Sequence, residues 1–152
     1  MRRDVREHIA ANIKNHGQHL VCVHATAGDT GDFIPFVYTI GNHERGLPEL
    51  LLIGDNDAVY CQILNILGET QRQRGRAFDL GELVDFSAMY PALVGDGGRR
   101  GRQEYAVQAS VYYGTENFRV QQIFLSDSNG YHYNQPEFDV RYLDCPILAD
   151  KS

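Results

Sequence analysis

Residues 33–54 read Phe-Ile-Pro-Phe-Val-Tyr-Thr-Ile-Gly-Asn-His-Glu-Arg-Gly-Leu-Pro-Glu-Leu-Leu-Leu-Ile-Gly. Within them, Phe36–Ile40 and Leu50–Ile53 are apolar, β-prone runs. The short connection between the runs concentrates His43, Glu44 and Arg45. Strands supply rigidity, and connections between strands are where binding and reactive side chains are usually displayed. This hairpin therefore forms the expected centre of the fold, and its bend the first place to look for a site.

Upstream, Val5, Ile9 and Ile13 recur at helical spacing, with Asp4 available as N-cap and Gly17 as a stop. Leu20–Val23 is a short apolar strand, and Ala27-Gly28-Asp29-Thr30-Gly31-Asp32 is a turn-rich link into Phe36–Ile40. Pro35 belongs at the beginning or edge of that strand, because it has no amide hydrogen for the ladder. Downstream, Asp55-Asn56-Asp57 offers N-cap chemistry, and Val59, Ile63, Ile66 and Leu67 mark the apolar face of a second helix. That helix is expected to end near Gly75, after Arg72 and Arg74, whose charges suit its C-terminal dipole.

Phe78–Leu93 reads as irregular, with a strand through Tyr90–Val94, and Gly95–Arg102 is the most flexible-looking piece. In Tyr105–Tyr113 the alternation of Tyr105, Val107, Ala109, Val111 and Tyr113 predicts a half-buried strand. Phe118–Leu125 then returns as its antiparallel partner, and a turn over Ser126–Gly130 leads to Tyr131-His132-Tyr133. The expected class is α+β in one domain over residues 1–152, with two flanking helices and a mainly antiparallel sheet. A sheet of about six strands curling into a partly closed barrel would shelter its edges.

The composition, 43% hydrophobic and 22% charged over 152 residues, is that of an ordinary globular domain able to bury a core. Twenty acidic against fourteen basic side chains give a net charge of −6, which argues against general nucleic-acid or anionic-membrane binding. The charged start leads into no apolar signal segment, and no apolar run approaches the ~18–20 residues of a membrane span. A cytoplasmic location is the expectation. Cys22, Cys61 and Cys145 are far apart and form no Cys-x-x-Cys pair, so they are expected as buried, reduced thiols.

His43 beside Glu44 has the make-up of a general acid/base pair, and Arg45 that of an anion clamp. The competing reading is a solvated turn. Glu49, between Pro48 and an apolar strand, must be paired if buried, either in a structural salt bridge to Arg45 or in a ligand contact. Tyr38 and Thr39 point to opposite faces of their strand, one towards core and one towards a ligand, or both simply fill the ladder. Six histidines show no metal-binding spacing, so no metal site is expected. The basic islands Arg72–Arg76 and Arg99–Arg102 match no Walker loop. Tyr112, Tyr113, Tyr131 and Tyr133 read as packing or as the walls of a cleft.

Taken together, Tyr38-Thr39-Ile40-Gly41, Pro48-Glu49-Leu50, Tyr112-Tyr113-Gly114, Gln121 or Gln122, Asp127, Gly130, Pro136 to Phe138 and Pro146-Ile147-Leu148 carry a resemblance. From about Gly17 onward the chain resembles the bacterial family catalogued as domain of unknown function 4262. Members often carry His directly before Pro-Glu-Leu, where this chain has Leu47. The resemblance implies a fold and a bacterial or phage origin, with no established activity. The strand–strand–helix order is also similar to flavin-binding split barrels, an analogy at the level of fold.

Three functional readings follow. The first is a small-ligand protein, with an enzymatic role open, whose cleft lies between the Phe36–Gly54 hairpin and Tyr131–Tyr133. Its ligand is a small anion, His43 and Glu44 are its acid/base pair, and Tyr38, Thr39, Arg45, Glu49 and His132 are its binding residues. The second is a non-catalytic module that binds another protein or a second copy of itself. The third is a flavin-binding split barrel.

Overall fold

The computed structural model describes residues 1–26, 28, 31–55 and 57–150, with Asp57 described in its backbone only. Helix α1 spans Arg3–His16. Strand β1 (His19–Val23) leads to β2 (Phe36–Ile40), and a 3-10 turn over Asn42–Arg45 leads to β3 (Glu49–Ile53). Helix α2 (Asp57–Arg74) follows, then β4 (Leu83–Val84), β5 (Ala92–Asp96) and the short α3 (Gly98–Arg100). A π-helical turn over Gly101–Tyr105, α4 (Val107–Tyr113) and β6 (Val120–Phe124) complete the described regular elements with a 3-10 turn at Val140–Tyr142.

The strands form one six-stranded sheet in the order β1-β2-β3-β6-β5-β4. β3 and β6 are parallel, and the other neighbouring strands are antiparallel. Every residue of β2, β3 and β6 is buried, because helices cover both faces. On one face Ile9 and Ile13 of α1 and Ala109 of α4 pack against Phe36, Tyr38, Ile40, Leu51 and Ile53. On the other, Ile63, Leu64 and Leu67 of α2 pack against Val37, Leu50, Leu52 and Ile123. Successive residues of β2 and β3 thus enter different cores, as the two-residue period of a strand requires. This is why the runs read as continuously apolar.

Several expectations are corrected. The sheet has two ends, β1 and β4, so it is not a closed or split barrel. Tyr105–Tyr113 is no strand: it is the end of the π turn at Tyr105 and, after a break at Ala106, the helix α4. Its buried positions are Ala106 and Ala109, with Tyr105, Tyr112 and Tyr113 partly buried against the same core, while Val107 and Val111 are exposed. That spacing is helical, and the alternation in sequence is incidental. β6 therefore pairs with β3 and β5. The strand expected at Tyr90–Val94 begins and ends two residues later, and Gly95–Arg102 folds as a strand end, α3 and the start of the π turn, with Gly97, Gly98 and Gly101 buried.

The N-cap of α1 is Arg2, and Asp4 lies in the first turn. Gly17 does stop the helix, at φ 89°, its amide donating to the Ile13 carbonyl. Ala27, Asp29 and Thr30 of the turn-rich link, and Asn56 of the second N-cap cluster, lie outside the described residues. Cys22 is exposed and Cys61 half-buried, because β1 is a terminal strand of the sheet. Among the described residues no helix is long and apolar enough to cross a membrane.

Because both faces of β3 are covered, Leu50→Ala and Leu51→Ala should each lower unfolding free energy by about 2–5 kcal/mol. Urea unfolding of the two variants checks this. A loss below ~1 kcal/mol at either position would mean that its face of the sheet is not a packed core.

Candidate functional site

The bend between β2 and β3 is organised by one carboxylate. Glu49 is fully buried. Its Oε1 accepts from the Thr39 hydroxyl (2.8 Å), the Asn42 amide (3.3 Å) and Asn42 Nδ2 (3.3 Å). Its Oε2 accepts from the amides of His43 (3.0 Å) and Gly41 (3.2 Å) and from the Tyr113 hydroxyl of α4. Successive N–H groups of a tight turn point into one concavity, where an anion satisfies them together. Gly41 makes the approach possible, with φ 123° and no Cβ to strike the Ile13 side chain. Burial pushes the Glu49 carboxyl above its ordinary range, while the bonds from Tyr113, His43, Thr39 and Asn42 pull the other way. Burial, and then the neighbouring Glu49 charge, push the Tyr113 hydroxyl up, so it stays a donor.

The cage continues outward. Asn42 Nδ2 also donates to Thr39 Oγ1 (3.1 Å) and Gln18 Oε1 (2.9 Å). Arg72 Nη1 of α2 donates to Gln18 Oε1 (2.8 Å) and Asn42 Oδ1 (3.0 Å). The guanidinium lies across Gly17, where a Cβ would meet its Nε at 2.5 Å. A continuous polar chain thus runs from Tyr113 and Glu49 to Arg72, at the edge of a groove.

That groove, of about 1000 Å³, lies between the end of α1, the start of β1 and α2. Arg45 from the bend, Arg72 and Lys14 line it with the imidazoles of His8, His16 and His19, and Glu69 is the acid among its lining residues. His19 Nδ1 lies 2.9 Å from Asn12 Nδ2. Burial, and then His8, push the His19 imidazole below its ordinary value. Burial and the charge of Arg45 likewise pull Arg72 below the ordinary arginine value, against the opposing carboxylates of Glu69 and Glu49. On the other side of the bend, His43 lines a hollow of about 440 Å³ with Arg102 and Arg119. Its ring stacks edge-on against Tyr113, with centroids 4.9 Å apart.

The sequence-predicted residues therefore separate. Thr39 and Glu49 meet inside the cage, and the partners of Glu49 among the described residues are neutral donors rather than Arg45. Tyr38 is buried, its hydroxyl accepting from the Gln108 amide at 3.0 Å. His43 and Arg45 face different hollows, and Glu44 is exposed. His132 is buried with Nε2 2.9 Å from the Pro91 carbonyl, beside β5 and away from the bend. Tyr133 does approach the Ile53 end of the hairpin, across a hollow of about 170 Å³. Gln18, Asn42 and the role of Tyr113 escape a reading of the sequence, because neutral amides carry no local signature.

The family model of DUF4262, a domain of unknown function, matches residues 12–139. The chain belongs to this family. Comparison with curated proteins and with solved structures gave no match. The geometry explains the residues on which the DUF4262 resemblance rests. Thr39, Gly41, Glu49 and Tyr113 converge on the carboxylate cage. Gln122 donates to the Pro146 carbonyl (2.7 Å) and accepts from the Leu148 amide (3.0 Å), tying down the tail. Asp127 accepts from the amides of Asn129, Tyr131 and Asp139, each at 2.9 Å.

Glu49→Gln keeps the shape but turns an NH2 towards one set of donors. It should cost about 3–5 kcal/mol, against about 1–3 kcal/mol for Tyr113→Phe. Both are read by denaturant unfolding. A Glu49→Gln loss under ~1 kcal/mol would mean that the carboxylate does not hold the bend.

Proposed function

We propose that the protein is a small-ligand-binding domain whose ligand is an anion, a carboxylate or phosphate ester, held in the groove between α1, β1 and α2. One observation carries this reading: Arg45 and Arg72, from different elements, line the same void with Lys14 on a chain of net charge −6. Like charges facing one cavity repel, and an anion between them relieves that repulsion while accepting charge-assisted hydrogen bonds. Arg72 is held by Gln18 and Asn42, so little of its side-chain freedom is left to lose on binding. The neutral amides of Asn12, Asn65 and Gln73 supply donors and acceptors for the rest of a polar ligand.

Calorimetric titration of the full chain with inorganic phosphate, pyrophosphate and citrate at low salt tests this. At least one should bind, and Arg45→Gln, at an exposed position, should weaken it about tenfold or more. Added salt should weaken binding further. Flat titrations with all three anions, or an affinity unchanged by Arg45→Gln, would contradict the reading.

A further inference from the structure

Cys22 and Cys61 lie 39 residues apart in sequence, on β1 and α2, yet their Sγ atoms are 3.4 Å apart. The cage and the groove use neither. Cys22 is exposed on a terminal strand of the sheet, where a dissolved oxidant reaches it, and Cys61 stands behind it on the helix. A disulfide needs the sulfurs at about 2.0 Å, a closing of the gap that side-chain torsions of two facing cysteines can supply. An exposed thiol with a second thiol beside it is the arrangement in which a mixed disulfide is resolved within the same molecule.

We propose that Cys22 and Cys61 are a redox modification site, oxidised by a low-molecular-weight disulfide such as glutathione disulfide to an intramolecular bond that staples β1 to α2. The Cys22 thiolate attacks one sulfur of the oxidant, forming a mixed disulfide and releasing one glutathione thiolate. The Cys61 thiolate then attacks the Cys22 sulfur and releases the second. The protein loses two electrons and two protons, and both end on the two glutathione thiols.

Cys145 serves as an internal control. It lines the hollow beside Tyr60 and Tyr133, and burial, followed by Asp144, pushes its thiol up to about 11. It is therefore a poor nucleophile at neutral pH. The staple would also fix the spacing of two groove walls, since Leu20 lies two residues from Cys22 and Asn65 one helical turn from Cys61.

The experiment incubates the full chain with glutathione disulfide at neutral pH, then applies an alkylating agent and reads intact mass and peptide maps. The expected product is a monomer lighter by two hydrogen atoms, with Cys22 linked to Cys61 and Cys145 alone alkylated. Its thermal midpoint should rise by roughly 5–10 °C, since the bond closes a loop of about 40 residues, and a reducing agent should reverse the change. Cys145→Ser should leave closure intact, and Cys22→Ser should abolish it. Cys61→Ser should stop the reaction at glutathione on Cys22. The proposal is overturned if glutathione persists on Cys22 in the unaltered chain, if all three cysteines are alkylated alike, or if the bond joins two chains. Cys22→Ser, at an exposed position, keeps the test decisive should Cys61→Ser fail to fold.

Discussion

A carboxylate removed from water is the constraint on which the bend depends. Taking Glu49 out of solvent costs several kcal/mol, and only a full set of donors offsets it. Thr39, Gly41, Asn42, His43 and Tyr113 provide that set. The backbone from Gly41 to His43 must then keep its amides converging on one point, which is the shape of the observed 3-10 turn. The acid between Pro48 and the greasy strand is thus the hub around which the polar residues of the bend are arranged.

The same arrangement determines what the bend displays. A turn held from inside sends Arg45 to the groove and His43 to the hollow beside Arg102. Asn42 passes the cage on to Gln18 and Arg72, so the guanidinium at the groove is anchored through the carboxylate cage of the neighbouring strands. Packing reinforces this from both sides, with α4 carrying Tyr113 over one face of the sheet and α2 carrying Arg72 over the other. Polar network and apolar core specify one structure together, because the core seats the helices that carry Tyr113 and Arg72, and the network fixes the bend that joins two core strands.

Much of the fold was legible because burial leaves local marks. Phe36–Ile40 and Leu50–Ile53 read as strands since both of their faces are covered, and Ile63 with Leu67 marks the core stripe of α2. Tyr105–Tyr113 misleads because a nine-residue window satisfies a period of two while its buried positions follow the helical period. The open sheet, in place of a barrel, and the parallel pairing of β3 with β6 are long-range outcomes that no local pattern encodes. The bend was legible as a concentration of ionisable residues, but its division between two hollows depends on the turn geometry. The neutral partners Gln18 and Asn42 look in sequence like any solvated amide, so the chain alone does not show the network.

Native-state hydrogen exchange at the amides of Gly41, Asn42 and His43 tests most directly whether the carboxylate holds the bend. If it does, these amides exchange with protection approaching that of core strand amides such as Leu51, despite lying in a connection. Exchange as fast as that of an exposed loop would show that the cage is not formed in solution, and the account of the bend would fall.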